Sequence, residues 1–191
     1  SHLGYREVML KHTYKHRTTQ IEEAVGIFKE SNEELVTIAA VTNRPEFIDR
    51  LAKNIRLQSH KRLELIFVLQ NYTEDQISIL KDKLHETGRV YENIQIIIDE
   101  SPSTLGARLN KAIQISQGDY LVKMDDDDFY FPHYIQDMLI PFSFGDYGIV
   151  GKKEIFIYLE EVDKTVVRYK NERHKETDFV AGATLVISRK A

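Results

Sequence analysis

The stretch Tyr120-Leu-Val-Lys-Met-Asp-Asp-Asp-Asp-Phe-Tyr-Phe-Pro132 runs from apolar residues into four consecutive carboxylates and then into an aromatic, proline-bearing segment. Its first half reads as a buried strand, with the aspartates projecting from the carboxyl end. Two unit charges about 5 Å apart repel by roughly 3 kcal/mol at an effective dielectric of about 20, so the run is costly unless something cationic lies against it. A hard divalent metal with oxygen ligands would remove that cost. Alternation along a strand puts Lys123, Asp125 and Asp127 on one face and Met124 and Asp126 on the other, which makes Asp125 and Asp127 a natural pair. The plainer alternative is a solvated acidic turn. The framing by strand residues and by Phe129, Tyr130 and Phe131 argues against it. An EF-hand loop fails on inspection, because Tyr130 stands at the sixth position, where glycine is needed, and Gln136 at the twelfth, in place of glutamate.

Upstream, strand and helix patterns alternate. Leu35-Val-Thr-Ile-Ala-Ala-Val41 is a continuous apolar run, followed by Thr42-Asn43-Arg44-Pro45 and by Phe47, Ile48, Leu51 and Ile55 at helical spacing. Leu63-Glu-Leu-Ile-Phe-Val-Leu69 repeats the strand signal, and Thr73 with Gln76 forms a capping-box pattern ahead of Ile77, Leu80 and Leu84. Ile94-Gln-Ile-Ile-Ile98 leads through Ser101-Pro-Ser103 into a helix carrying Leu105, Leu109, Ala112 and Ile113, which Gly118 closes. Four such alternations predict an α/β, Rossmann-like fold with a mostly parallel sheet and helices on both faces. Beyond Pro132 the pattern predicts a short helix, His133 to Leu139. Further strands are predicted at 148–150, 154–159, 165–168 and 184–187, some paired as antiparallel hairpins. Ligands of such sheets bind beyond the carboxyl ends of the strands, where the aspartates fall.

The chain has 191 residues, 42% hydrophobic and 29% charged, enough for one well-buried core. It contains no cysteine, which excludes disulfides and thiolate metal sites and fits a reducing, cytoplasmic setting. No apolar run approaches a transmembrane length. A formal charge of -4 offers no broad basic face for nucleic acid, so a phosphate ligand must be held locally. Local candidates exist. Gly106, Arg108 and Lys111 open the helix after the third strand, where free N–H groups and a partial positive charge attract anions; the alternative is that Arg108 and Lys111 are solvent-facing. Asn43 and Arg44 share that sheet edge by topology, unless Asn43 only caps a helix. His133 and His174 read as surface residues, although either could complete a metal site built mainly from aspartate.

These pieces, in this order, resemble the family 2 glycosyltransferases of the GT-A fold. The landmarks are Asn43-Arg44-Pro45-Glu46, Asn110 with Gly118-Asp119-Tyr120, Met124-Asp-Asp-Asp-Asp128 with Pro132, and Gly182-Ala-Thr-Leu with Ser188-Arg189. The resemblance covers about residues 35–190. It implies a transferase that binds a nucleotide-diphospho-sugar with Mg or Mn through a D-x-D motif and transfers the sugar, with inversion, to a carbohydrate or other hydroxyl acceptor. It further implies a bacterial enzyme of cell envelope polysaccharide synthesis. Carried over residue by residue, it places Asp125 near the ribose and Asp127 on the metal with Asp125, and it leaves Asp126 and Asp128 as support. Thr42, Asn43, Arg44, Gly106, Arg108, Lys111 and Gly182 join the donor site. Where the family has an acidic residue after its second strand to contact the base, this chain has Leu69-Gln70-Asn71-Tyr72, so Gln70 is the candidate. The family's catalytic base lies after the late glycine segment and is expected beyond Ala191, so this chain is expected to bind donor better than it transfers sugar.

Two rivals stand beside this reading. A sugar-nucleotide nucleotidyltransferase also uses metal-binding aspartates, but it wants a glycine-rich basic loop where Val41-Thr-Asn-Arg-Pro45 has no glycine. A donor-binding module without turnover is the other. The opening segment is charged, with a loose helical stripe of Val8, Tyr14, Ile21 and Val25. It resembles the last helix of a preceding spore-protein glycosyltransferase domain of GT-B type. The expected organisation is therefore a helical segment over 1–30, the tail of a neighbouring domain of a longer polypeptide, and a nucleotide-sugar-binding domain over 31–191.

Overall fold

The computed structural model describes residues 2–26 and 33–190. The chain divides into two compact units, Ser1–Glu33 and Glu34–Ala191. The boundary expected at residue 30 lies outside the described residues. In the first unit the opening segment forms two helices, α1 (His2–Lys11) and α2 (Tyr14–Ala24). The break falls at Thr13, whose extended backbone starts α2 and whose Oγ1 shares a hydrogen bond of 2.7 Å with His16 Nδ1. The expected stripe of Val8, Tyr14, Ile21 and Val25 is exposed.

The second unit has β1 (Val36–Thr42), α3 (Ile48–Arg56), β2 (Leu63–Leu69), α4 (Glu74–His85), β3 (Asn93–Ile98), α5 (Leu105–Ile115) and β4 (Tyr120–Lys123). These are followed by α6 (Tyr134–Leu139), β5 (Ile149–Val150), β6 (Ile155–Leu159), β7 (Lys164–Arg168) and β8 (Val186–Ser188). The main sheet has the order β3-β2-β1-β4-β8-β5, and β6 and β7 form a separate hairpin. β1 runs parallel to β2 and β4, and β2 to β3; β8 lies antiparallel to β4 and β5. The expected mixed sheet is thus observed. No described helix is long and apolar enough to cross a membrane.

Alternation along the strands builds two cores. Val36, Ile38 and Ala40 of β1 and Leu63, Leu65 and Phe67 of β2 face α3, α4 and α6 through Leu51, Ile55, Leu80, Leu84, Ile135 and Met138. Ala39, Ile66 and Val68 face the other way, onto Ala112 of α5. β2 is buried along its whole length, as its unbroken apolar run requires, whereas β3 at the sheet edge is only half-buried. The capping box of Thr73 and Gln76 forms as expected.

Gly118 does something other than close α5. The helix ends at Ile115, and Ser116 behind it is extended. A Cβ on Gly118 would lie 2.6 Å from the Thr37 backbone nitrogen, so glycine is required by the close approach of the turn to β1. Phe47 also departs from expectation. It sits in a 3-10 turn, Pro45–Phe47, outside the core, with the guanidinium of Arg44 4.8 Å and that of Arg50 5.1 Å from its ring centroid.

Candidate functional site

β1 lies between β2 and β4, so the chain winds outward on one side of β1 and then returns to its other side. The carboxyl ends of β1 and β4 therefore flank the point where the winding direction changes, the place where open α/β sheets leave a crevice. Thr42, Asn43 and Arg44 leave β1 there, and Asp125–128 leave β4. The last ladder contact is the Met124 N–H donating to Ala39 O at 3.0 Å, after which the aspartates begin.

Arg44 joins the two ends. Its Nε donates to Asp126 Oδ2 at 3.2 Å, its Nη2 to Asp126 Oδ1, and its Nη1 to Asp127 Oδ2 at 2.9 Å. Thr42 Oγ1 donates to Asp126 Oδ2 and accepts the Arg44 backbone N–H at 3.0 Å. The Asp126 side chain is 4% exposed and that of Asp127 44%. Asp125 is paired instead with Lys123 Nζ from its own strand. Three of the four charges are thus divided: Asp126 and Asp127 share Arg44, and Asp125 has Lys123. Alternation carries on past the end of β4 at Lys123: Met124 and Asp126 are buried, while Asp125 keeps to the side of Lys123 and Asp127 is exposed.

Electrostatics follow that division. Hydrogen bonds to Asp126 and then Asp127 raise the Arg44 guanidinium above its ordinary value. Burial pushes Asp127 up, but the bond and charge of Arg44 outweigh it and hold the carboxyl low. Burial, and then the charges of Asp125 and Asp127, push Asp128 up.

Two tyrosines and one face of α3 fix the loop. Tyr130 OH accepts the Asp125 N–H at 3.0 Å and donates to Ala183 O at 2.7 Å, which brings the Gly182–Thr184 turn beside the aspartates. Tyr134 packs edge-on against Tyr130 with ring centroids 4.8 Å apart. Arg50 Nη1 donates to Asp127 O at 2.7 Å, and its guanidinium lies 4.7 Å from the Phe129 centroid. Asn54 Nδ2 donates to Asp128 O at 2.8 Å, and its Oδ1 accepts the Tyr130 N–H at 3.2 Å. Buried Gln58 donates to Tyr130 O and Phe131 O and accepts the Ile135 N–H. Arg50 and Asn54 lie one turn apart on α3, and Gln58 follows at the same spacing just beyond the helix end. Polar residues at that spacing beside the core positions Leu51 and Ile55 were the available signal for this clamp.

The remaining candidates lie elsewhere along the sheet edge. Gln70 follows β2, with its backbone N–H on Thr42 O at 3.0 Å. Gly106, Arg108 and Lys111 stand beyond β3, two strands from β1. There Lys111 Nζ bonds Asp99 Oδ2 at 2.6 Å, and Arg108 donates to the carbonyls of Asp99 and Ser101. Asp99, which sequence reasoning passed over, is buried, and the Lys111 bond followed by Ser101 holds its carboxyl well below the usual range. Gly182 has open space where a side chain would be. His133 is tied to Ser59 and Gln136.

Among the described residues no three His, Cys, Asp or Glu side chains are grouped to hold an ion. Magnesium-like cations are usually bound through one or two carboxylates, with waters and ligand phosphates completing the shell. The half-exposed oxygens of Asp127, with Asp125 nearby in the chain, suit that chemistry in donor type and number.

Comparison with known proteins agrees with this architecture. In solved structures the fold is similar to that of the mannosyltransferase PcManGT from Pyrobaculum calidifontis in complex with GDP-Man and Mn2+, at 15% identity and a TM-score of 0.64, over 84% of this chain and 46% of that one. It is also similar to S. aureus TarS 1-349 in complex with UDP-GlcNAc, at 16% identity and a TM-score of 0.53, over 63% of this chain and 34% of that one. The chain thus spans less than half the length of either neighbour, and at these identities the likeness is one of fold. No curated protein sequence matches the chain. The family model described as Glycosyl transferase family 2 matches residues 37–185, most of the chain, and by that match the chain belongs to glycosyl transferase family 2.

Proposed function

We propose that residues 34–191 bind a nucleotide-diphospho-sugar in the crevice between the carboxyl ends of β1 and β4, and that the sugar passes with inversion to an acceptor hydroxyl. The observation that carries this reading is the bridge from Arg44 to buried Asp126 and half-exposed Asp127, which sets a guanidinium and an accessible carboxylate together at the change of winding. Asp127 with Asp125 would hold a Mg or Mn ion. When bound, such an ion offsets the charge that grows on the departing diphosphate. Thr42, Asn43 and Gln70 border the nucleotide, and Gly182 leaves room beside Asp125 for the donor to approach the backbone. Arg108 and Lys111 stand beyond β3 at Asp99, whereas Arg44 lies between the ends of β1 and β4 with Nη1 on half-exposed Asp127, and it is the side chain best placed to meet the diphosphate. Its planar fork suits phosphate oxygens. The neighbours crystallised with GDP-Man and UDP-GlcNAc support a sugar nucleotide as the ligand class.

The test is calorimetric titration with UDP- and GDP-sugars, with and without Mn2+, on the wild type and on Asp127→Asn. Binding is expected to need the ion and to weaken at least about tenfold in the variant, as loss of a metal-holding group commonly does. Affinity indifferent to both would end this reading, and tight binding with no sugar released to water or acceptor would favour a donor-binding module.

A further inference from the structure

Arg44 uses its donors unequally. Nε and Nη2 grip Asp126, a carboxylate that Thr42 also holds and that is almost fully buried. Only Nη1 reaches the exposed Asp127. The guanidinium is further held over the Phe47 ring, which Arg50 also contacts. The fork is therefore anchored, and the Asp127 bond is the one that can exchange with solvent and ligands. A free divalent ion arriving at Asp127 meets a fixed positive charge that already holds that carboxylate. A diphosphate reverses the balance, because it adds negative charge and can accept the Nη1 proton in place of Asp127.

Resting on the functional reading above, we propose that Arg44 is a tethered substitute for the divalent cation. In the donor-free domain it occupies Asp127. The donor diphosphate takes over Nη1, and the released carboxylate then accepts the ion. Asp127 turns away from Nη1 while the Arg44–Asp126 fork stays in place. Ion and donor consequently assemble together, and Arg44 weakens binding of the ion alone while strengthening that of the diphosphate.

Water-proton relaxation enhancement tests this without any turnover, because it separates Mn2+ on the slowly tumbling protein from Mn2+ on free nucleotide. The variant Arg44→Gln combined with Asp126→Asn removes one charge of each sign, so no buried charge is left unpaired. It should bind Mn2+ alone about fivefold more tightly than the wild type, the upper range for loss of one exposed ion pair. The tightening of Mn2+ binding by added UDP or GDP should shrink in step. Arg44→Lys is the second measurement should the double variant misfold. Its single ammonium stays with buried Asp126, and the change should have the same direction. Equal or weaker binding of Mn2+ alone by both variants overturns the inference and leaves the functional reading intact. If the wild type retains no Mn2+ even with UDP and GDP, both fall.

Discussion

At the scale of residues, neighbours in the acidic run have opposite duties. Asp126 holds its charge in the interior, with Arg44 on both carboxylate oxygens and Thr42 on one. Arg44→Ala would leave that charge buried and unpaired. Solvent reaches Arg44, so the loss should fall at the low end of the range for broken buried pairs, about 3 kcal/mol by chemical denaturation. Asp127→Asn, at an exposed position, should change stability by less than about 1 kcal/mol while removing ion-dependent donor binding. Asp99 supplies a pH signature. Its carboxyl is depressed in the folded state, chiefly by Lys111, so the stability it contributes is complete above the unfolded value near pH 4 and is lost as the pH falls through the folded value. Melting temperature measured down from about pH 5 should therefore drop less steeply in Asp99→Asn than in the wild type. A parallel decline in both would show that the ion pair does not control acid sensitivity.

Among the elements, α3 does the most to shape the site. Its apolar residues were legible because Ile48, Leu51 and Ile55 repeat at the helical period, and β2 was legible because an unbroken apolar run has to be buried on both faces. The clamp made by Asn54 of this helix and Gln58 just beyond it was legible only as polar residues at helical spacing, without their partners. Asn54 and Gln58 bond backbone atoms more than seventy residues away in sequence, a relation that periodicity does not encode. Strand alternation separated Asp126, buried like Met124, from the more exposed Asp125 and Asp127, but it could not name Arg44 as the partner of Asp126, eighty-two residues away. Gln58→Ala would strip bonds from three carbonyls and one N–H in a buried place. A loss of about 2–3 kcal/mol is expected, with faster amide hydrogen exchange confined to residues 128–135. Protection unchanged there would mean that Arg50, Asn54 and Tyr130 hold the loop without Gln58.

Across the molecule, the two edges of the sheet are chemically distinct. At the amino ends of the strands, Thr37, Glu64, Gly118 and Arg189 interlock: Thr37 donates to Glu64, the Gly118 N–H reaches Thr37, and Arg189 bonds the carbonyls of Gly118 and Ser116. That end packs tightly. The carboxyl edge carries the exposed carboxylates and the aromatic side chains of Phe129 and Phe131, 73% and 79% exposed. Alternation and crossover rules predicted a mostly parallel sheet and pointed to the carboxyl ends of its strands, whereas the order of the strands is set by long-range pairings that no single segment announces. The identity of each partner across the crevice had to come from coordinates. One consequence follows from the neutralisation of the aspartates by Arg44 and Lys123. Treatment with EDTA should leave the melting temperature where it was, and a drop would show the ion to be part of the framework. Under the proposed function, a cell starved of manganese would keep this protein folded while donor binding waits for the ion.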